Sequence, residues 1–336
     1  MKESLSIIVP CFNEEHVIPE FYRRLHAVLE TMTCSSQIIF INDGSRDTSY
    51  TLLQDIARKD LSVKLISFSR NFGHQKAVTA GINYCTTDFA LIIDADLQDP
   101  PELIPQILET LKREEAQVVY CIRTDRQGET PFKKWSAKMF YRCLNFFSEI
   151  DLPVDTGDFR LIDRSVIREF NRLQEKGKYI RGLVPWIGFK QVPFYYEREP
   201  RFAGETKYPL SKMVKLASTS MSYFSKKPLT LATSLGFFSV GLALVYGLWS
   251  LLGKLFGFTH ADSGWTSLVL LIVFFGGIQL ITIGIMGTYI GNLFDEVKNR
   301  PEYIVEETVN FSDSEQEDME KPRQGTKRNR RKSYLL

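Results

Sequence analysis

Residues 90–101 read ALIIDADLQDPP. The apolar run Leu91, Ile92, Ile93 has the character of a buried strand, and it stops abruptly at Asp94-Ala95-Asp96. In an extended chain, residues two apart point the same way. Asp94 and Asp96 can therefore present two carboxylates on one side of a strand end, with Gln98 adding an amide oxygen. These are hard oxygen ligands, suited to Mg2+ or Mn2+. A solvated turn ahead of Pro100-Pro101 has the same short signature, so the surrounding chain must decide between the two.

Outward from this stretch, apolar strands are expected at residues 5–9, 37–41, 63–68, 89–93 and 118–122. Helical patterns separate them, ending near Thr31, Lys59 and Tyr84, with another over residues 101–114. Asp47 or Ser45 is the candidate cap of the second helix. Strands alternating with helices predict an α/β fold with a mostly parallel, doubly wound sheet. In such sheets ligands sit at the carboxyl ends of the strands. Polar groups cluster at those ends: Asn13 and Glu14, Asp43, Arg70 and Asn71, Asp94 and Asp96, and Arg123. Five strand ends aimed at one edge outweigh any single motif. No G-x-G-x-x-G follows the first strand and no G-x-x-x-x-G-K-[ST] occurs. Dinucleotide and P-loop sites are therefore disfavoured, leaving phosphates to a metal and basic side chains.

The chain has 336 residues and a formal net charge of +2, which gives no support to a nucleic-acid partner. Cysteines at positions 11, 34, 85, 121 and 143 lack metal-finger or redox spacing and read as reduced, cytosolic thiols. The four histidines are scattered and suggest no zinc cluster. Residues 5–9 are too short for a signal-peptide core.

Residues 229–252 and 265–294 contain no charged side chain. At ~1.5 Å per residue each can cross a ~30 Å hydrocarbon layer. Lys226 and Lys227 precede the first span, and Lys298 and Arg300 follow the second. The positive-inside rule then places both flanks, and so both termini and the large N-terminal part, in the cytosol. Residues 211–224 have apolar positions at helical spacing with Lys212 and Lys215 between them, the pattern of an interfacial amphipathic helix. The expected organisation is a catalytic domain over 1–210, an interfacial helix over 211–228, a transmembrane hairpin over 229–294, and a cytosolic segment over 295–336. That last segment is expected to be disordered from about 311, where an acidic run precedes KRNRRK. The sequon at Asn310 would stay unused in the cytosol.

The runs SIIVPCFNEE, FINDGSRDTS, SFSRNFGHQKA, IIDADLQDPPELIP, TGDFRLIDRSV, YIRGLVPWIGF and AGETKYPLSKM occur in this order. Jointly they resemble the family-two glycosyltransferases that load a sugar onto a polyisoprenyl phosphate, such as bactoprenol glucosyltransferases and dolichol-phosphate mannose synthases. The resemblance covers residues 5–300 and, with two spans, is nearer the bacterial branch, whose location is the inner membrane. It implies a GT-A fold, a nucleotide-sugar donor, a divalent metal (Mg2+ or Mn2+) and inversion at the anomeric carbon. By motif, Pro10, Asn13, Glu14 and Asp43 would line the base and ribose, with Asn71 and Ala95 near the donor. Asp94, Asp96 and Gln98 would hold metal and diphosphate. Asp158, with Asp96, is the expected catalytic residue, acting either as a base or in orienting the acceptor or a sugar hydroxyl. Arg123, Lys134, Ser136, Arg181, Arg198, Arg201 and Lys207 are the expected acceptor-phosphate group.

UDP-glucose is the favoured donor by resemblance, with GDP-mannose and UDP-N-acetylhexosamine as alternatives. A processive polysaccharide synthase is disfavoured, because Gln-x-x-Arg-Trp and further spans are absent. A non-catalytic nucleotide-binding scaffold and a lipid-flipping hairpin are the readings from other classes. Gly276, Gly277, Gly284, Gly287 and Gly291 permit close helix contacts in the second span, in keeping with a homo-oligomer.

Overall fold

The run LSIIV at residues 5–9 lies within the longer strand β1, Ser4–Cys11, and is wholly buried. Alternate residues face two different helical layers. Ile7 and Val9 join the cluster containing Phe21 and Leu25. Ile8 instead faces Gly81, where a Cβ would come within 2.2 Å of its Cγ2. Burial on both faces explains why the strand reads as a continuous apolar run. A fully buried Ile or Phe here contributes roughly 1.5–3 kcal/mol.

The structure is a computed structural model that describes residues 3–124, 156–197, 227–256 and 264–312. After β1 come α1 (Ile18–Thr31), β2 (Ser35–Asn42), α2 (Ser49–Lys59), β3 (Val63–Phe68), α3 (His74–Asn83) and β4 (Phe89–Ile92). A 3-10 turn at Pro101–Leu103 leads into α4 (Ile104–Arg113) and β5 (Val118–Arg123). Helix α1 buries Ile18, Phe21 and Leu25, and α4 buries Ile104, Ile107, Leu108 and Leu111, each on one stripe. Both carry a proline in the first turn, Pro19 and Pro105, where its missing N–H costs nothing.

Further on lie β6 (Thr156–Asp163), α5 (Arg164–Arg172), α6 (Ile180–Ile187) and β7 (Gln191–Tyr196). Asp163 caps α5 by accepting the Val166 N–H at 3.0 Å. Two long helices, α7 (Lys227–Leu255) and α8 (Gly264–Lys298), precede β8 (Val305–Val309).

The eight strands form one sheet in the order β7-β5-β6-β4-β1-β2-β3-β8. Strands β1 to β4 run parallel, and β5 and β7 share their direction; β6 and β8 run against them. The carboxyl ends of β1 to β5 therefore share one edge with the start of β6. The sequence reading had no strand at β6, β7 or β8. Strand β6 hides Asp158 and Arg160 in a buried run, β7 carries Pro193, and β8 reads VEETV.

Helices α7 and α8 belong to a compact unit distinct from the sheet. They contact each other and expose large apolar side chains such as Phe237, Trp249, Ile272 and Leu280. Residues Leu229–Trp249 and Leu271–Lys298 are long and apolar enough to cross a membrane. Residues 211–226 of the expected interfacial helix and the tail beyond 312 lie outside the described residues, and Lys227 and Pro228 open α7.

Candidate active site

The site begins where β1 and β2 end. Asn13 has a left-handed φ of 52°, uncommon for a side-chain-bearing residue. Its conformation is held by two cross-loop bonds: its N–H donates to Ser45 Oγ at 3.1 Å, and its Oδ1 accepts the Arg46 N–H at 2.9 Å. The Glu14 N–H donates to Ser49 Oγ at 2.9 Å. Helix α2 starts with Thr48 at the cap position, and the Ser45 and Asp47 expectation needs correcting in part. Asp47 Oδ1 accepts the Ser49 N–H at 3.0 Å, whereas Ser45 serves Asn13. The Thr48 N–H goes to Glu15 Oε2 at 3.0 Å. Pro10 is buried near the end of β1.

Asp43, just past β2, is 3% exposed. Its two oxygens accept the N–H groups of Phe72 at 2.6 Å and Gly73 at 2.9 Å. Burial pushes this carboxyl above its ordinary pKa, and the two backbone donors oppose the rise. Beside it, Gly44 has φ 63°, and a Cβ there would lie 2.3 Å from the Arg70 carbonyl carbon and 2.5 Å from the Asn71 nitrogen. Only glycine fits, and the 70–73 loop lies directly on the β2 turn. Asn71 is exposed in that loop, and the Arg70 guanidinium covers the Phe72 ring at 4.1 Å.

The second half of the site forms around β4 and β6. Ile92 pairs with Arg160 in an antiparallel register, so the continuing chains bring Asp94 toward Asp158. His74, the first residue of α3, lies between them, with Nε2 3.0 Å from Asp158 Oδ2 and 3.6 Å from Asp94 Oδ1. Asp158 is 3% exposed and well supplied with donors. Arg181 donates from Nε to Oδ1 at 2.8 Å and from its Nη2 to Oδ2 at 3.0 Å, and Gln75 Nε2 donates to Oδ2 at 3.2 Å. Burial alone would raise the Asp158 pKa, but Arg181 and His74 outweigh it and hold the carboxyl well below the usual range. Burial would lower His74; the Asp94 and Asp158 carboxylates instead push it up to about 9.

Asp94 lies two residues past β4. Its Oδ1 is buried and has no hydrogen-bond partner. Burial raises its pKa to about 6 against the pull of His74, with Asp158, Asp99 and Asp96 adding to the rise. Asp96 Oδ1 accepts the Gln98 N–H at 3.2 Å, and between them Leu97 has φ 59°. Ala95 is buried and Gln98 partly buried.

Among the described residues, no three His, Cys, Asp or Glu side chains group as a metal cage. A magnesium-type ion needs no such cage when one or two carboxylates share it with substrate phosphates. The orphaned oxygen of Asp94 and the adjacent Asp96 fit that kind of site.

Below this pair, Asp99 is fully buried and accepts a hydrogen bond from the Tyr196 hydroxyl. Arg123 Nε donates to that same hydroxyl at 3.3 Å, and its guanidinium lies 3.9 Å from Asp99. Gly157 makes room for it, since a Cβ there would come within 2.8 Å of Arg123 Nη2. Arg160, 3% exposed, donates to the carbonyls of Gly157 at 3.1 Å and Ile180 at 3.5 Å. It thereby ties the backbone on either side of the Asp158–Arg181 pair.

Asn13, Glu14, Asp43 and Asn71 thus lie with the β1–β3 ends, and Asp94, Asp158 and Arg181 meet at β4 and β6. Lys134, Ser136, Arg198, Arg201 and Lys207 lie outside the described residues. Sequence reasoning missed His74, Gln75, Asp99, Arg160 and Tyr196. Only His74 and Gln75 left a trace, as the polar pair opening a helix straight after a strand-end loop.

Acidic groups thus gather at the carboxyl edge of a mostly parallel sheet, where such sheets bind ligands. Residues 6–170 match the model of glycosyl transferase family 2. A Bacillus subtilis protein described as an uncharacterized glycosyltransferase, YkcC, is 49% identical over 303 residues, 90% of this chain and 93% of its own. The prophage bactoprenol glucosyl transferase homolog of Escherichia coli K12 is 38% identical over 90% of this chain and 98% of its own. The bactoprenol glucosyl transferase of Shigella phage SfII is 37% identical over the same two shares. The chain belongs to glycosyltransferase family 2, and it is a glycosyltransferase. Among solved structures, glucosyl-3-phosphoglycerate synthase of Mycobacterium tuberculosis is similar at 17% identity and a TM-score of 0.48. That match covers 66% of this chain and 76% of the other, a likeness too loose to carry residue roles.

Proposed function

We propose that the protein transfers glucose from UDP-glucose to a polyisoprenyl phosphate at the cytosolic face of the bacterial inner membrane. The observation that carries the reading is Asp94 at the carboxyl edge of the sheet, whose buried Oδ1 has no hydrogen bond and lies beside His74 and the ionised Asp158. The bactoprenol glucosyl transferases among its relatives support the acceptor and the sugar. The two long apolar helices support the membrane location.

The reaction is a single displacement. An oxygen of the lipid phosphate attacks the anomeric carbon, the bond to the nucleoside diphosphate breaks on the opposite face, and the configuration inverts. The β1–β3 ends, with Pro10, Asn13, Glu14, Asp43 and Asn71, hold the nucleoside. Asp94, Asp96 and Gln98 would hold Mg2+ or Mn2+, which supplies positive charge to the departing diphosphate.

The acceptor is a phosphate monoester with a second pKa of about 6, so it is largely dianionic at neutral pH and needs no strong base. Asp158, held ionised by Arg181 and His74, suits a positioning role toward the acceptor or a sugar hydroxyl. Arg123, Lys134, Arg198, Arg201 and Lys207 supply charge for the acceptor phosphate, and Ser136 a hydroxyl donor. Arg181 acts through Asp158.

The test is transfer from a panel of radiolabelled nucleotide sugars to undecaprenyl phosphate, with Mg2+ or Mn2+ and with chelator. One labelled lipid, made from UDP-glucose and lost with chelator, is the expected result. A lipid made only from GDP-mannose or UDP-N-acetylglucosamine would replace the donor. No lipid from any donor, with folded protein, would overturn the reading.

A further inference from the structure

The residues following α8 return to the sheet and touch both halves of the site through separate chains of contact. Glu302 reaches Lys178, with Oε2 4.0 Å from Nζ and both side chains largely buried (13% and 6% exposed). The Lys178 ammonium also faces the Phe170 ring at 5.2 Å. Three residues further on is Arg181, which grips both oxygens of Asp158. The intervening Ile180 N–H is held by Gln75 Oε1 at 3.0 Å, and Gln75 in turn donates to Asp158. Glu302 therefore anchors the start of the segment that presents Arg181.

The next two residues serve the other half. The Tyr303 ring stacks on Phe68 at 4.9 Å and 12°, and its hydroxyl accepts from Asn83 Nδ2 at 2.9 Å. Phe68 meets Phe72 edge-on at 5.7 Å. Phe72 is the residue whose N–H closes on Asp43. The Ile304 carbonyl accepts the Ser69 N–H at 3.1 Å, extending the β3–β8 pairing into the loop that ends at Gly73.

We propose that Glu302, Tyr303 and Ile304 are positioning residues for transfer: Glu302 sets the Arg181–Asp158 clamp, and Tyr303 with Ile304 sets the donor loop over Asp43. The proposal rests on the reading of this strand edge as the transfer site. It predicts that two adjacent residues, neither touching substrate, separate kinetically. Glu302→Gln lowers kcat about 10- to 100-fold, the cost of a small misplacement at the reacting centre, and leaves donor KM within about twofold. Tyr303→Leu raises donor KM about 3- to 10-fold, the worth of a lost aromatic pair, with little change in kcat. Lys178→Met with Glu302→Gln is no slower than either single variant, because the pair acts as a unit.

The experiment is steady-state transfer by the full chain in detergent for these variants, with Asn310→Ala and Asp94→Ala alongside. Asn310 Nδ2 holds the carbonyls of Ala57 at 2.6 Å and Val63 at 2.7 Å at the far end of β8. Its alanine variant loosens the strand there and should lower Tm without moving kcat or donor KM. If Asn310→Ala reproduces the Glu302 and Tyr303 effects, general loosening explains them and the proposal fails. It fails equally if Glu302→Gln and Tyr303→Leu both keep wild-type constants while Asp94→Ala is inactive. Turnover retained in Asp94→Ala would remove the site reading itself, and the proposal with it. Should Glu302→Gln not accumulate, Glu302→Asp, which keeps the charge on a shorter arm, gives the same readout.

Discussion

The two halves of the site satisfy their carboxylates in different ways. At the ends of β1 and β2, Asp43, Asp47 and Glu15 accept hydrogen bonds from backbone N–H groups of neighbouring loops. At β4 and β6, Asp158 is held by the side chains of Arg181, His74 and Gln75, and one oxygen of Asp94 has no hydrogen bond at all. The first arrangement fixes loop shape. The second concentrates charge: Arg181 and His74 hold Asp158 down, the two carboxylates raise His74, and burial, joined by the neighbouring carboxylates, raises Asp94. Such divergence marks places where chemistry, rather than shape, is being set.

Asp94→Ala should have the largest effect. Loss of the proposed cation ligand removes several kcal/mol of transition-state stabilisation, so turnover should drop about 1000-fold or more. Because one oxygen of the deleted carboxylate is buried without a hydrogen bond, Tm should hold or rise. Steady-state kinetics beside thermal unfolding measure both, and wild-type turnover would erase the contrast between the halves.

Arg181→Met comes next. It leaves Asp158 buried beside fewer donors, costing roughly 3 kcal/mol, the low end for breaking a buried pair because Arg181 is itself partly exposed. Adding Asp158→Asn should return much of that stability in denaturant unfolding but not the rate. Asp158→Asn alone should already slow transfer; an unchanged rate would make Asp158 purely structural.

On the other half, Gly44→Ala forces a side chain into left-handed backbone against the 70–71 peptide, costing roughly 1–3 kcal/mol. It should raise donor KM more than it lowers kcat. The smallest effect belongs to Asp43→Asn, whose amide oxygen can still accept one of the two N–H bonds. A loss of roughly 1.5 kcal/mol, seen as about a tenfold rise in donor KM, is expected. If Asp43→Asn instead matched Asp94→Ala in kcat, the division between shaping and charge-setting carboxylates would fail.

The same division explains what was legible in the sequence. Strands β1 to β5 announce themselves because both faces are buried and the runs are apolar, and their polar tips fall where sheet topology places ligands. Asp43, Asp94 and Asp96 were therefore visible. Strand β6 was not, since its alternation spans only Asp158 to Leu161 and its two charged side chains, Asp158 and Arg160, are buried. His74, Asp99 and Tyr196 gain their meaning from partners 84, 97 and 97 residues away respectively, a relation no local pattern encodes. Arg181 was expected as a phosphate ligand; its guanidinium grips Asp158, 23 residues away, because α6 packs against β6.

Strand β8 also has a consequence for how the protein is made. Until it arrives, the outer edge of β3 has no neighbour, and an unpaired edge invites association with other chains. The segment that closes it follows β3 by more than two hundred residues, with both long apolar helices in between. At a synthesis rate of about 5–20 residues per second, that edge stays open for roughly 10–50 s. The ribosome thus finishes both helices before the sheet can be completed, so newly made chains acquire a finished loop at residues 69–73 only after their apolar hairpin has been synthesised.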